Sequence, residues 1–237
     1  MNKIEVKILY HNFNHMPIFL ARLTQRGAEI KDMNDLIQIY DATVGKMPSV
    51  NLMELPHTTI RRMCYLTVAI VGLSTKAVSQ LRTHATRLTF LSTSTQYSSF
   101  EERPDNFVIP EQNDIISEAY LKIEEYYKML LQTGVDKDVA SYVMPQGLRK
   151  ALVISGNLAD WEYMLSIRLC NRNTKEVQHI CEMIVGEIID KCGQEYVVNM
   201  MPSCVYDKCH EGKFSCGHCY HHLWRFKNNS KIREYEV

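Results

Sequence analysis

The chain has no net charge: 27 Lys and Arg balance 27 Asp and Glu across 237 residues. That balance removes the electrostatic case for a nucleic-acid partner or an anionic membrane surface. It also leaves a low barrier to self-association. Long apolar runs are missing. The most apolar stretch, CYLTVAIVGLS from Cys64, falls far short of the ~20 residues that span a bilayer. The opening MNKIEVKILYHNFNHM has no long apolar core of a secretory signal. The expectation is a soluble, cytoplasmic protein with no nucleic-acid and no membrane partner. The eight cysteines then read as thiols or metal ligands before disulfides. Also absent are internal repeats, low-complexity tracts and any glycine-rich phosphate loop of the P-loop or dinucleotide kind. No cysteine has a base and an orienting group beside it in sequence, which argues against a thiol nucleophile.

What is present is enough apolar residue, 46%, to bury a core. IEVKILY alternates and predicts a strand. FLARLTQRG predicts a short helix or turn, and EIKDMNDLIQIYDATVG a helix stopped near Gly45. MCYLTVAIVGLS is rich in β-branched residues and predicts a buried strand. TKAVSQLRTHATRL places Ala77, Leu81, Ala85 and Leu88 on one helical face. Residues 101–113 read as a loop. The clearest helix is DIISEAYLKIEEYYKMLLQTG, with Asp114 as N-cap and Gly134 as stop. DKDVASYVM predicts a short helix, RKALVISG a strand, and LADWEYMLSIRL and TKEVQHICEMIVGEIIDKCG helices, the last capped by Thr174. The whole predicts an α+β domain, residues 1–200, followed by a Cys/His-rich C-terminal tail, residues 201–237.

Three constellations carry chemistry. The first is RTHATRLTFLSTSTQYSSF, residues 82–100. On a continuous helix Gln80, His84 and Arg87 share a face and Arg82 points away. Hydroxyls crowd the residues after it. The stretch reads either as a solvated turn or as an anion site, with Arg forks and turn amides as donors. The second is SGNLADWEYMLSIRLCNR. Asn157 sits at a turn, and Arg168 lies about three helical turns on, on nearly the same face as Trp161 and Leu165. Arg168 is either an amphipathic stem reaching water or a group aimed at a ligand. The third is the tail, with Cys204, Cys209, Cys216, Cys219, His210, His218, His221 and His222. The C-x-x-C pair has zinc-ligand spacing, yet the full spacing is not that of a standard finger. Structural zinc and free thiols both stand.

These stretches together resemble the flavin-dependent thymidylate synthase family. LTFLSTSTQY is similar to the second half of that family's signature R-H-R-x-x-S-x-x-x-x-S-x-R-Y, with Thr89, Ser94, Gln96 and Tyr97 at its serines, arginine and tyrosine. RTH at 82–84 resembles its first half, with two extra residues between. LPHTT, with His57 and Thr59, resembles a Gly-His-x-Thr segment. GVDKDVASYVMP and VISGNLADWEYMLSIRLCNRNTKEV resemble two later blocks, and CHEGKFSCG a tail found in part of the family. The resemblance covers roughly residues 50–217. It departs at Thr83, His84, Gln96, Ser141 and Tyr163, so two or three cations are missing from the inferred phosphate site. Arg87, inserted here, is the candidate replacement.

The resemblance implies a single-domain, mixed-sheet α+β fold with long helices. It implies an enzyme that methylates dUMP to dTMP, with FAD as cofactor and NADPH and 5,10-methylenetetrahydrofolate as co-substrates. It also implies a homotetramer that shares active sites between subunits. Arg168 would be the catalytic residue, at the uracil edge. His57, Thr59, Arg82, Thr83, His84, Ser92, Asn157 and Tyr163 would bind FAD. Ser79, Arg82, Arg87, Ser92, Ser94, Gln96 and Arg168 would bind substrate. No residue is assigned as a metal ligand by the resemblance.

Overall fold

The computed structural model describes residues 4–46, 52–54, 58–101, 103, 105–109 and 113–220. His57, His221 and His222 lie outside the described residues. One four-stranded sheet runs in the order β1 (Glu5–His11), β2 (Tyr65–Ser74), β4 (Arg149–Asn157), β3 (Thr89–Ser92). The helices complete the expected α+β fold. They are α1 (Met16–Gln25), α2 (Met33–Asp41), α3 (Thr59–Met63), α4 (Thr75–Arg82), α5 (Asp114–Gln132), α6 (Lys137–Ala140), α7 (Leu158–Arg168), α8 (Lys175–Cys192) and α9 (Ser203–Tyr206). Among the described residues no helix is long and apolar enough to cross a membrane. The chain divides into two compact units, residues 1–6 with 69–154 and residues 7–68 with 155–237.

In the unit of residues 69–154, α5 supplies the apolar stripe that its sequence spacing predicts. Tyr120, Ile123, Tyr127 and Leu130 pack with Phe100, Phe107, Ala140 and Leu148. The α5 N-cap is Asn113, not Asp114: its side chain accepts from the Ile116 amide at 3.1 Å. Asn fills this role as well as Asp does, so sequence alone left the two adjacent residues hard to separate. Gly134 ends the helix at φ +83°, a left-handed stop that suits glycine. At the start of α4, Ser74 caps the Ala77 amide at 3.0 Å.

The unit of residues 7–68 and 155–237 is built on α7 and α8. Trp161, Met164 and Leu165 of α7 are buried, as are Val177, Ile180, Ile184 and Ile188 of α8. The Trp161 indole donates to the Leu66 carbonyl at 3.1 Å, so the ring is buried with its polar atom satisfied. Tyr196 stacks on Phe13 at 4.6 Å between centroids and donates to the Phe13 carbonyl at 2.9 Å. Thr174 holds the cap position of α8, but its side chain makes no capping bond.

His11, at the end of β1, gives a pH handle. Its Nδ1 accepts from the Phe13 amide at 3.3 Å, a bond that requires the nitrogen to be unprotonated. Burial holds the imidazole below its ordinary 6.5. A base with a depressed folded-state pKa stabilises the fold in its neutral form. Stability is therefore kept above the unfolded value and lost as pH falls from 6.5 through the lower folded value. In thermal melts across that window, His11→Gln should flatten the decline in Tm. An unchanged decline would assign it to other groups.

Candidate active site

The candidate residues fall in both units. In residues 69–154 the helix expected to continue to Leu88 stops at Arg82. The turn after it closes by short-range bonds, from the His84 amide to the Leu81 carbonyl and from the Arg87 amide to the His84 carbonyl. Thr83 Oγ1 donates back to the Gln80 carbonyl at 2.8 Å, a local bond that competes with helix continuation. Arg82, Thr83 and Arg87 are exposed, whereas His84 is buried at 7% exposure. The continuous-helix phasing of Gln80, His84 and Arg87 therefore does not apply. Ser79 is exposed on α4, and its hydroxyl donates to the Thr75 carbonyl at 3.0 Å.

Residues 89–92, read from sequence as part of a hydroxyl-rich turn, form strand β3 instead. Thr89 and Phe90 are compatible with a strand, but pairing with β4 decides the matter. Beyond β3, Thr93 is pinned at three atoms. Its amide donates to the Ala151 carbonyl at 3.0 Å, its Oγ1 accepts from the Ala151 amide at 3.3 Å, and its carbonyl accepts from Lys150 Nζ at 3.2 Å. The next residues form a small turn in which Ser94 Oγ accepts from the Gln96 amide at 3.1 Å. Ser94 is half-buried, while Gln96 and Tyr97 are exposed. A loop anchored at Thr93 thus presents hydroxyls and an amide.

The Lys150 anchor was not anticipated from sequence. Lys150 occupies an apolar register of β4, in line with Leu152 and Ile154, and is 6% exposed. Its ammonium lies 5.5 Å from the Phe100 ring centroid, and the Arg103 guanidinium lies 5.9 Å from the same ring. Burial, then the Arg103 charge, pulls Lys150 below the ordinary lysine value. A cation at an inward-facing strand position was the available signal.

In residues 155–220, Asn157 is the N-cap of α7. Its Oδ1 accepts from the Asp160 amide at 3.0 Å and its Nδ2 donates to Asp160 Oδ2 at 2.6 Å. Tyr163 shows an exposed ring on α7. Arg168 closes the last turn of α7, where a cation also suits the helix dipole. Its guanidinium donates to Asn173 Oδ1 at 3.0 Å. Asn173 is held in turn, with Nδ2 donating to the carbonyls of Ile167 at 2.8 Å and Cys170 at 3.3 Å. Arg168 is therefore an oriented cation, not a loose stem. Asn173, the residue that orients it, lay unremarked in the CNRN run.

Helix α3, which begins at the exposed Thr59, is tied to α7 by a buried ion pair. Arg61 Nε lies 3.0 Å from Glu162 Oε2, close but not aligned as a hydrogen bond. Arg61 also donates to the Met53 carbonyl at 3.1 Å, and Asn199 Nδ2 donates to both Met53 O and Glu162 Oε1. The thiols of Cys64, Cys181 and Cys192 are each pushed up to about 12, first of all by burial. They are poor nucleophiles there. Among the described residues, no three His, Cys, Asp or Glu side chains stand as a group that holds a metal ion.

A family model described as thymidylate synthase complementing protein matches residues 13–192. Similar curated proteins are flavin-dependent thymidylate synthases. That of Thermococcus onnurineus is 28% identical over 141 residues, 56% of this chain and 57% of the relative. That of Geobacter sulfurreducens is 23% identical over 207 residues, 83% of this chain and 86% of the relative. The chain thus spans little more than half the length of the archaeal relative. Among solved structures, thymidylate synthase X from Helicobacter pylori, crystallised with FAD and dUMP, superposes with TM-score 0.62 at 19% identity, covering 82% of this chain and 99% of that one. A UMP/dUMP methylase from Streptomyces cacaoi, bound with 5-Br dUMP, superposes with TM-score 0.59 at 17% identity, covering 80% and 91%. At these identities the superpositions speak to fold. The family match covers most of the chain, and the chain belongs to the flavin-dependent thymidylate synthase family.

Proposed function

We propose that the protein is an FAD-dependent methyltransferase that converts dUMP to dTMP, with methylenetetrahydrofolate as carbon donor and NADPH as reductant. The observation that carries this reading is Arg168 held by Asn173 at the end of α7. A charged, forked donor that is already oriented needs little reorganisation to stabilise negative charge building on a pyrimidine carbonyl edge. That charge would make C5 of the ring a better nucleophile. FAD, when bound, supplies the hydride chemistry.

The chain's residues suit that cofactor in chemistry. Thr59 and Arg82 are exposed donors, and Tyr163 is an exposed aromatic residue. Asn157 is engaged with Asp160 through both polar atoms, which leaves the second N–H of its amide and the second lone pair of Oδ1 for a ligand. Thr83, His84, Ser92 and His57 complete the proposed FAD set. On the substrate side, the Ser94–Gln96 turn and its amides would meet the nucleotide phosphate, with Ser79, Arg82, Arg87 and Ser92 around it. A cytoplasmic homotetramer with shared sites is part of the same reading, as is a catalytic domain of residues 1–200 with the tail of 201–237 appended.

Adding FAD to the purified protein should yield a yellow complex, and dUMP should then perturb the flavin absorbance. A protein that stays colourless at saturating FAD contradicts the proposal. Arg87→Ala should weaken dUMP binding by roughly tenfold or more, the worth of one charge-assisted phosphate contact. An unchanged dissociation constant would remove Arg87 from the phosphate site.

A second reading is a methyltransferase of the same chemistry acting on another pyrimidine nucleotide. Gln96 stands where the family signature has an arginine, Ser141 stands where the later block resembled by GVDKDVASYVMP has another, and one structural relative is named as a methylase of UMP as well as dUMP. Competition of UMP against dUMP in the flavin titration separates the two.

A further inference from the structure

Several of the eight thiols lie in or beside the segment that follows α8. The segment of residues 204–220 is held against residues 171–172. Asn171 Nδ2 donates to the carbonyls of Cys219 at 3.1 Å and His218 at 3.4 Å, and Arg172 donates to the Phe214 carbonyl at 2.7 Å. This brings Cys204, Cys209 and Cys216 within electrostatic reach of the Cys170 thiol. Among them, Cys219 reaches Cys204 directly. Cys219 Sγ donates to the Cys204 carbonyl at 3.2 Å, although fifteen residues separate them, and the two thiols are in hydrogen-bonding contact. Cys216 is directed elsewhere, its Sγ donating to the His218 carbonyl at 3.1 Å. Neither Cys204 nor Cys219 is in a disulfide, and both are partly exposed.

We propose that Cys204 and Cys219 form a reversible dithiol–disulfide pair, oxidised by a small-molecule disulfide of the glutathione class. Contact between the thiols and access from solvent are the two conditions that such a pair needs. The Cys219 thiol already donates its proton to the Cys204 carbonyl, which leaves Cys204 to open the exchange. The Cys204 thiolate, its proton lost to water, attacks one sulfur of the small disulfide, breaks its S–S bond and expels one small thiol. Cys219 then loses its proton to water and attacks the Cys204 sulfur, expelling the second small thiol. Two protein thiols are oxidised and one small disulfide is reduced to two thiols. The new bond closes a loop across the segment that rests on Asn171 and Arg172.

The test uses the full chain. The protein is incubated with oxidised glutathione, remaining thiols are alkylated, and peptides are mapped by mass spectrometry without reduction. The expected product is a Cys204–Cys219 cross-linked peptide that a dithiol reductant removes. In Cys219→Ser, the expected product is a stable glutathione adduct on Cys204. Because the wild-type map needs no variant, a folding defect in Cys219→Ser cannot mask the result. Cross-links that join Cys204 to Cys170, Cys209 or Cys216 instead would overturn the proposal. So would free, unlinked Cys204 and Cys219 after oxidation. So would a protein that arrives with one tightly held zinc per chain shielding these thiols, since the cluster would then be a metal site.

Discussion

Glu162→Ala should cost about 3–5 kcal/mol of unfolding free energy, because it strands the Arg61 guanidinium in a buried site. The side chains of the pair are 10% and 9% exposed, so water cannot replace the lost partner. Glu162 also accepts from Asn199, whose amide would lose one of its two acceptors. The double replacement Arg61→Met with Glu162→Leu should recover most of the loss. Paired apolar groups of similar volume often do as well as a buried ion pair, while half of a pair does badly. Urea denaturation of the two single variants and the double variant closes the cycle. A loss below about 1 kcal/mol for Glu162→Ala would mean that the pair is no more than a surface bridge. The pair also bears on the proposed site. It fixes the helix that Thr59 begins against the helix that carries Tyr163 and Arg168. Loosening it should weaken FAD retention before the protein unfolds.

Arg168→Ala should lower turnover by about 10²–10³-fold, the usual loss when one preorganised donor to a developing negative charge is removed. It should leave the flavin bound, because the residues proposed for FAD lie elsewhere. The yellow colour and the dTMP yield therefore separate a catalytic loss from a folding loss. Asn173→Ala should lower turnover less. Arg168 keeps its charge there but loses the acceptor at 3.0 Å that orients it. Retained turnover in Arg168→Ala would remove this residue from the mechanism. Loss of colour in the same variant would move Arg168 to the flavin.

Strands and helices whose identity follows from local pattern were legible in the sequence. The alternation in IEVKILY, the β-branched run before Ser74 and the apolar stripe of α5 each appear where expected. The failures cluster between Arg82 and Tyr97. There a helical spacing continued past the true end of α4, because Ala85 and Leu88 kept the period while Thr83 turned its hydroxyl onto the backbone. Strand β3 was hidden among hydroxyls, since its existence depends on pairing with β4, more than fifty residues away. Long-range pairing of this kind leaves no local trace. Partners of the candidate residues were the least legible. Asn173 beside Arg168 and Lys150 beneath Thr93 are contacts made by the fold, not by spacing. The residue types that resemble the family's signature could be read. What holds them in place could not.

The most direct measurement is of product. Purified protein is given FAD, NADPH, methylenetetrahydrofolate and dUMP, and the nucleotides are separated and weighed by mass spectrometry. The proposed function predicts dTMP, formed only when all four are present and lost when any one is left out. NADPH oxidation with no methylated nucleotide, or methylation of UMP while dUMP is left untouched, would contradict it.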